Sequence, residues 1–254
     1  MYKCPILCYN LTMNIYNKFD NYAHYFVSTK DINIPYQNSL ALHTNQNPTK
    51  IIQNRNNLNL PKGLNFVVAN QTHSNNIQII KDNLSKGWSD EKSAIKDCDG
   101  LITNLENLGL CILTADCVPI LIYDKANKVI SAIHAGWRGT KDNIVKNAIS
   151  QMIMNFNSKI ENIEVFIAPS IRDCCYEVDW EVAKFFNTYT QKSSKYMLDL
   201  ANINASKLID IGIKSSNIKI SPICTSCSSD KFFSYRKERG CDGRFMSIIW
   251  LNKS

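Results

Sequence analysis

The sequence lacks any uninterrupted apolar run of the roughly 20 residues that a membrane-spanning helix needs. Residues 1–10 contain one lysine and only a short apolar patch from Pro5 to Cys8, and so lack the apolar core of a secretory signal peptide. These absences predict a chain without a membrane segment that resides in the cytoplasm. In that compartment, ten cysteines are expected to be free core thiols plus one or two functional ones.

Long basic runs interleaved with aromatic residues are also missing. The net charge is +7, but the Lys and Arg residues are dispersed along the chain. Diffuse positive charge favours small anions such as phosphate and lacks the concentrated basic footprint of nucleic-acid binding, so we expect no nucleic-acid partner. A hydrophobic content of 44% with no internal repeat or linker predicts a single packed domain over residues 1–254.

The order of predicted elements indicates a layered α/β or α+β fold. Helical spacing of apolar residues predicts a helix starting near Pro48, one capped by Thr140, and two more over residues 178–189 and 203–211. The rest of residues 1–62 is expected to be irregular. Short apolar runs bounded by polar turns predict strands at 66–69, 77–80, 109–114, 118–123, 129–133, 163–168, 218–220 and 245–251.

Histidine is scarce, and its placement is informative. The chain has four histidines, and two of them, His73 and His134, follow predicted strands, while Cys117 directly precedes another. Two imidazoles and a thiolate suit Zn²⁺, and also copper. Three protein ligands leave the fourth tetrahedral position open, which is typical of catalytic rather than structural zinc.

The segment that follows His134 favours an anionic ligand. Gly136 and Gly139 flank Trp137 and Arg138 just before a predicted helix. Glycine lets the backbone approach a ligand closely, and a helix N-terminus favours negative charge. Arg138 is therefore a candidate for a bidentate contact to phosphate or carboxylate.

The residues around Cys117 allow more than one chemistry. Asp116 could orient a ligating histidine or act as a base. Without metal, Cys117 could serve as a nucleophile with His134 as its base, which would make the protein a thiol hydrolase. A binding module without catalysis is a further alternative. A multicopper cluster is excluded by histidine count, since it needs many imidazoles in His-x-His pairs and the chain has none.

The remaining clusters carry weaker signals. Cys224 and Cys227 form a single C-x-x-C, which does not predict a zinc knuckle without a second pair or histidines, and the adjacent Cys174 and Cys175 are not expected to bridge. The carboxylates in residues 97–100 are interpreted as turn formers. Three arginines make the C-terminal segment basic, either as a phosphate surface or as a solvated face: Arg236, Arg239 and Arg244.

Taken together, these motifs resemble the laccase-domain family, also called YfiH-like and formerly labelled polyphenol oxidase or multicopper oxidoreductase. The resemblance extends from about residue 22 to the C-terminus. Its most specific motifs are Ala-Asp-Cys-Val-Pro at 115–119 and His-Ala-Gly-Trp-Arg-Gly at 134–139. Further matches lie at 71–73, 99–103, 174–178, 232–236 and 243–244.

The resemblance implies an α+β fold, a single domain with α/β/β/α layers and mixed sheets. It also implies one zinc, replaceable by copper, held by His73, Cys117 and His134. The implied activity is phosphorolysis of adenosine, inosine and methylthioadenosine, with adenosine deaminase as a side activity. The partners would be a purine nucleoside and phosphate, and the protein a monomer or weak homo-oligomer. Some family members instead edit peptidoglycan precursors, and the older label implies a copper-dependent polyphenol oxidase.

The chain departs from the family pattern in two places. Ser28 and Thr29 are followed by residues 30–33 without the glycine pair that the family usually carries. Arg172 and Asp173 stand where the family often has Gly-Pro. If these loops contact substrate, the departures bear on which substrate is used.

Overall fold

A computed structural model describes residues 14–253 of the chain. The strands are β1 (Ile15–Lys18), β2 (Ala23–Val27), β3 (Asn65–Val68), β4 (Ile77–Ile79), β5 (Gly100–Thr103), β6 (Leu108–Thr114), β7 (Val118–Asp124), β8 (Val129–Ala135), β9 (Ile163–Ile167), β10 (Glu177–Val178), β11 (Thr190–Lys192), β12 (Lys195–Met197), β13 (Ile218–Ile220) and β14 (Phe245–Leu251). The α-helices are α1 (Pro48–Asn56), α2 (Trp137–Lys141), α3 (Ile144–Phe156), α4 (Trp180–Ala183) and α5 (Leu200–Asp210).

Two large mixed sheets form the centre of the molecule. One has five strands in the order β1-β2-β14-β6-β3, and the other has six in the order β13-β9-β7-β8-β5-β4. A small third sheet has the order β10-β12-β11. The sheets are mixed because β3 runs parallel to β6, and β4 to β5, whereas β7 pairs with both of its neighbours antiparallel.

The two large sheets pack face to face. Tyr25 and Ile112 of the five-stranded sheet share one buried cluster with Leu121, Ile130 and Phe166 of the six-stranded sheet. The rings of Tyr25 and Phe166 stack across the interface with centroids 4.5 Å apart. Both faces of the central strands are covered, which explains why β6, β7, β8 and β14 read as continuous apolar runs in the sequence.

Helices cover the outer faces. The apolar sides of α3 and α5 pack on the six-stranded sheet, and a separate cluster covers the outer face of the five-stranded sheet near α1. Arg55 of α1 is only 1% exposed, and its guanidinium donates to the carbonyls of Leu40, Gly87 and Trp88. The predicted α/β/β/α layering is confirmed. Within residues 14–253, no helix has the length and apolar character needed to cross a membrane.

The predicted strands and the helices at α1 and α5 are confirmed, but three expectations are wrong. Residues 1–62 are not irregular throughout, because β1 and β2 pair there at the edge of the five-stranded sheet. Thr140 does not cap a helix; it lies inside α2 and its hydroxyl accepts from Asn204. Residues 178–189 hold only the one-turn helix α4. The apolar patch at Pro5 to Cys8 lies outside the described residues.

Strand register explains how distant residues meet at one edge of the six-stranded sheet. In the β7–β8 pair, Val118 lies opposite Ala135, so Cys117 before β7 is beside the end of β8 that carries His134. In the β5–β8 pair, Gly100 lies opposite Ile133, which brings the residue before β5 to the same end. The loop from β3 to β4 ends at this edge too, because β4 pairs with β5.

Candidate functional site

His73, Cys117 and His134 meet at this edge. One ligand atom from each side chain lies within 4.8 Å of the other two, and Cys117 Sγ is 3.9 Å from His73 Nε2. The three residues lie 44 and 17 positions apart in sequence by their numbers, 73, 117 and 134, so the sheet register and not local structure brings them together. His134 is 3% exposed, while His73 is open to solvent.

Asp99 holds the two histidines in place. Its carboxylate is fully buried and lies 2.7 Å from His134 Nδ1. It also accepts hydrogen bonds from the backbone N–H groups of Thr72, His73 and Ser74, at 3.1, 3.1 and 2.7 Å. With Nδ1 of His134 committed to this carboxylate, its Nε2 is the nitrogen left for a ligand.

Two residues of the site have left-handed backbone. His73 has φ 62° and Asp116 has φ 89°, a region that residues with a Cβ rarely adopt. The N–H contacts to Asp99 hold the backbone at His73 in this conformation. The backbone at Asp116 is held by its own carboxylate, which accepts hydrogen bonds from the Thr225 hydroxyl and the Arg236 N–H, both at 2.7 Å. Strained conformations stabilised in this way concentrate at functional sites.

Gly136 allows two of the candidate ligands, His73 and Cys117, to approach the backbone closely. A Cβ at this position would lie 3.0 Å from His73 Cδ2 and 3.3 Å from Cys117 Sγ. Its φ of −73° is accessible to any residue, so the glycine is required by space and not by backbone conformation. The close approach predicted at Gly136 is therefore present, and the groups that come close are the side chains of His73 and Cys117.

The electrostatics favour a charged sulfur. Burial raises the pKa of the Cys117 thiol, but the neighbouring His134 and His73 outweigh burial and lower that pKa to about 6. Burial lowers the pKa of His134, but the Cys117 charge and the Asp99 hydrogen bond raise it to about 9. The pKa of Asp99 falls to about 2 despite burial, because of the hydrogen bond and charge of His134. Thiolate, the form that binds metal, is thus favoured.

The trio opens into a cavity of about 310 Å³. That volume lies at the lower end of the range typical of small-molecule sites. Polar and aromatic side chains contribute to its wall together with the trio: His43, Gln71, Asp116, Tyr176, Tyr235, Arg236 and Arg244. The site therefore combines soft metal ligands with two guanidinium groups and aromatic rings in one concave surface.

A family model described as multi-copper polyphenol oxidoreductase laccase matches residues 27–252. The chain belongs to this family.

Relatives in the laccase-domain family carry enzyme names. The chain is 32% identical over 231 residues to purine nucleoside phosphorylase YlmD of Bacillus subtilis, covering 84% of this chain and 82% of that protein. It is 30% identical over 196 residues to adenosine deaminase RL5 from an unknown prokaryotic organism, covering 73% and 74%. The crystal structure of Bacillus licheniformis hypothetical protein YfiH superposes with a TM-score of 0.85 at 30% identity, covering 91% and 93%. The expected family and its mixed fold are confirmed.

The structure places the other two predicted site residues differently. Arg138 is exposed and stacks over the Trp137 ring, 4.4 Å from its centroid, and it is not among the residues that line the cavity. Asp116 does line the cavity, but its carboxylate supports the loops of Thr225 and Arg236 and does not orient a histidine. The histidine-orienting carboxylate is Asp99, which the sequence analysis interpreted as a turn former.

Several cavity residues had no role assigned from the sequence. Gln71, Tyr176 and Tyr235 lie in stretches that match the family, but nothing in their spacing marks them as cavity residues, and His43 lies outside those stretches. Gln71 is fixed to β6, where its side chain accepts from Leu113 N at 2.8 Å and donates to Leu113 O at 2.7 Å. Only the Gln-Thr-His run and the arginines of the C-terminal segment offered a signal that could have found part of this wall.

The residues that depart from the family pattern do not themselves line the cavity. Residues 30–33 line a different surface groove. Arg172 makes a bidentate contact with Asp199, at 2.9 to 3.1 Å, and donates to Ser221 O at 2.7 Å. Arg172 and Asp173 are not among the lining residues, although Ile171 and Tyr176 of the same loop are. The departures therefore leave the composition of this wall unchanged.

The remaining cysteines require a correction. The C-x-x-C at 224–227 was not predicted to bind zinc, because the sequence shows no second cysteine pair near it. The structure supplies that pair, because Cys174, Cys175, Cys224 and Cys227 have sulfur atoms that all lie within 4.8 Å of one another. The pairs are about 50 residues apart in the chain, so spacing alone could not join them.

Proposed function

We propose that this protein is a zinc-dependent purine nucleoside phosphorylase. Its substrates would be adenosine, inosine and methylthioadenosine with phosphate, and adenosine deamination would be a side activity. The single observation that carries the proposal is the coexistence of the His73–Cys117–His134 trio and two arginines in one cavity. The names of the relatives, purine nucleoside phosphorylase and adenosine deaminase, support the substrate class.

The donor set fits zinc. Bond lengths of about 2.3 Å to sulfur and 2.0–2.1 Å to nitrogen put tetrahedral S and N ligands about 3.6 Å apart. The Cys117 Sγ to His73 Nε2 distance of 3.9 Å is close to this value. The Asp99–His134 hydrogen bond is the outer-sphere contact that ligating histidines usually make. When bound, zinc would polarise phosphate or lower the pKa of a water molecule.

The cavity residues supply binding and orientation. Phosphorolysis forms a bond from a phosphate oxygen to the anomeric carbon and breaks the bond from that carbon to the purine nitrogen, which then takes a proton. Arg236 and Arg244 would hold the phosphate, because a guanidinium has five donors and each uses only Nη1 on backbone carbonyls. Burial and the nearby Cys117 raise the pKa of Tyr176, so its phenol stays protonated and can donate to the purine.

The direct test is phosphate-dependent release of adenine or hypoxanthine. Adenosine and inosine are incubated with metal-quantified protein, with and without phosphate, and the products are separated by liquid chromatography. We expect base and ribose 1-phosphate in equal amounts, only with phosphate, and loss of both in His134→Ala. Base release at the same rate without phosphate would identify a hydrolase and refute the proposal. Absence of turnover with every nucleoside would refute it too, and would favour the peptidoglycan-precursor editing reaction.

Copper-dependent polyphenol oxidation is the second candidate, because the matching family model carries that description. In residues 14–253, the groups able to hold a metal are the trio and the group of Cys174, Cys175, Cys224 and Cys227, and neither has more than two histidines. Zinc has no redox chemistry. We therefore expect phenol-dependent oxygen uptake by the zinc protein to stay at background. Oxygen uptake that exceeds nucleoside turnover and vanishes in Cys117→Ala would favour the oxidase.

A further inference from the structure

We propose that Cys174, Cys175, Cys224 and Cys227 form a second metal site that binds one Zn²⁺ through four thiolates. This site, called the cysteine quartet below, is separate from the trio and uses none of its residues. The four sulfur atoms lie within 4.8 Å of one another. Cys227 Sγ is 3.6 Å from Cys174 Sγ and 3.4 Å from Cys175 Sγ.

These distances match a single tetrahedral ion. Zinc–sulfur bonds of about 2.3 Å place the sulfurs of a tetrahedral four-thiolate site about 3.8 Å apart. A disulfide requires about 2.05 Å between bonded sulfurs, and the separations of 3.4 and 3.6 Å from Cys227 Sγ exceed that length. Four sulfurs gathered this closely leave room for one ion at their centre and none for a cluster of several metals.

Backbone contacts assemble the quartet before any metal binds. Ser170 and Cys224 form a β-bridge, and Thr225 N donates to Ser170 O at 3.1 Å, which fixes one loop against the other. The backbone contacts therefore hold the two cysteine-bearing loops side by side.

The Arg172 side chain reinforces the same arrangement. It is anchored to Asp199 at the start of α5 and to the Ser221 carbonyl after β13. The Arg172 carbonyl accepts hydrogen bonds from Cys175 N and Tyr176 N at 2.9 and 2.8 Å. These bonds form a turn that places Cys174 and Cys175 beside the loop of Cys224 and Cys227. A residue that stands where the family often has Gly-Pro thus stabilises the quartet in this chain.

Charge makes a divalent cation the appropriate occupant. Cys224 is 4% exposed, whereas Cys174 and Cys227 reach the surface. Four thiolates within 4.8 Å of one another would repel, and a dication at their centre removes that repulsion. Soft thiolate ligands select zinc over calcium or magnesium.

The quartet lies directly behind the wall of the cavity. Tyr176, which lines the cavity, follows Cys175 in the chain. Thr225, between the two cysteines of the other loop, donates to Asp116 at 2.7 Å. A bound zinc would therefore fasten two loops that shape the cavity, a structural role consistent with four protein ligands and no open position.

Metal content of site variants tests the proposal independently of enzyme activity. Protein expressed with zinc and purified under reducing conditions is analysed by mass spectrometry of metals and by native mass spectrometry. We expect two zinc ions per wild-type chain, one in the His73→Ala/Cys117→Ser/His134→Ala variant, and one in Cys224→Ser/Cys227→Ser. Cys241→Ser, a cysteine outside both groups, is the matched control and should keep two. Unchanged zinc content in the Cys224→Ser/Cys227→Ser variant would overturn the proposal.

A measurement on the wild-type protein covers the case in which the double variant fails to fold. Alkylation by iodoacetamide is followed residue by residue with peptide mass spectrometry. We expect Cys174 and Cys227 to be protected in the zinc protein and to become reactive on adding a chelator without reductant. Reactivity before the chelator would overturn the proposal. So would protection that yields only to a reductant, which identifies a disulfide. Failure of nucleoside turnover would affect only the trio, so the two proposals can fail separately.

Discussion

The trio and the cysteine quartet show two ways in which one chain brings candidate metal ligands together. The trio is built at the ends of strands in a rigid sheet, offers three ligands, and faces a cavity of about 310 Å³. The quartet is built from two loops and offers four ligands. An open coordination position is what substrate chemistry needs, and a filled one is what loop fixation needs.

The supports of the two groups differ as well. A fully buried carboxylate, Asp99, orients the trio through His134 and the backbone of His73. The quartet is ordered instead by a backbone bridge between its two loops and by the contacts of Arg172 with Asp199 and Ser221. A change at Asp99 should therefore affect the trio and leave the quartet intact. The predictions below use this difference, from the largest expected effect to the smallest.

Replacing Asp99 should separate the two groups most clearly. In Asp99→Asn, the amide cannot accept from all the N–H groups that the carboxylate now serves, and His134 loses its charged partner. We expect the affinity of the trio for zinc to fall about 10–100-fold, as for other outer-sphere carboxylates. Zinc titration of each variant against a competing chelator measures this.

Asp97→Asn is the matched control for that change. Asp97 lies two residues earlier and is exposed. Its carboxylate accepts hydrogen bonds from the side chains of Thr72 and Asn76. Its zinc content and affinity should match those of the wild type. The quartet should keep its zinc in both variants; equal loss from both groups in Asp99→Asn would mean that the two are not independently supported.

Arg236 and Arg244 line the cavity of the trio, where we propose that they bind phosphate. In Arg236→Ala, the phosphate loses a charge-assisted hydrogen bond of about 1.5–3 kcal/mol, so the KM for phosphate should rise about 10–100-fold. The Arg236 N–H that holds Asp116 belongs to the backbone and is retained. Initial rates at varied phosphate measure the change.

Two other cations serve as comparisons. Lys237→Ala removes an exposed charge next in sequence and should leave the KM for phosphate unchanged. Arg138→Ala tests the anion contact predicted from the sequence. Because Arg138 stacks on Trp137 outside the cavity wall, we expect a change of less than about threefold, the size of an exposed cation–π contact. A larger effect of Arg138 than of Arg236 would restore the sequence-based assignment.

Chelation should release zinc from the two groups at different rates. A chelator can attack the open position of the trio directly, but must displace a thiolate to enter the quartet. We expect two phases separated by on the order of tenfold in rate, with the fast phase absent from the His73→Ala/Cys117→Ser/His134→Ala variant. A colorimetric chelator followed in a stopped-flow instrument resolves them. A single phase of two equivalents would show that the groups do not differ in accessibility.

Gly136→Ala should give the smallest effect. The added Cβ would lie 3.0 Å from the His73 ring and 3.3 Å from the Cys117 sulfur, closer than ordinary contacts. We expect a several-fold loss of zinc affinity at the trio, with a change in melting temperature of only a few degrees, since the φ of −73° suits alanine. Isothermal titration calorimetry and thermal denaturation measure the two quantities. Loss of folding would mean that the glycine has a structural role that its dihedral angles do not reveal.

The sequence predicts the central fold well because the strands have a simple pattern. β6, β7, β8 and β14 are buried on both faces, so each is a continuous apolar run that needs no knowledge of its partners. The strand β1 was not predicted from the sequence, for the opposite reason. It lies at the edge of its sheet with three of its four residues exposed, so its sequence has no apolar signature. Position within a sheet, rather than composition, decides which strands can be predicted.

The site shows the same limit. His73, Cys117 and His134 could be selected because residue type and strand ends mark metal ligands. Asp99 could not, since its role depends on the register in which β5 and β8 pair. The two cysteine pairs of the quartet are separated by the helices α4 and α5, a small sheet and the strand β13, and only their three-dimensional arrangement joins them. Contacts set by tertiary register leave no trace in local spacing.

The position of β14 has a consequence for biosynthesis. β14 follows every other strand of the five-stranded sheet in the chain, yet it lies in the middle, between β2 and β6. During translation the β1–β2 hairpin and the β6–β3 pair therefore each keep an unpaired edge until Phe245–Leu251 has left the ribosome. Open edges of this kind attract other chains. We therefore expect the nascent protein to pass through an aggregation-prone stage, and a chaperone that shields strand edges to raise the yield of folded protein.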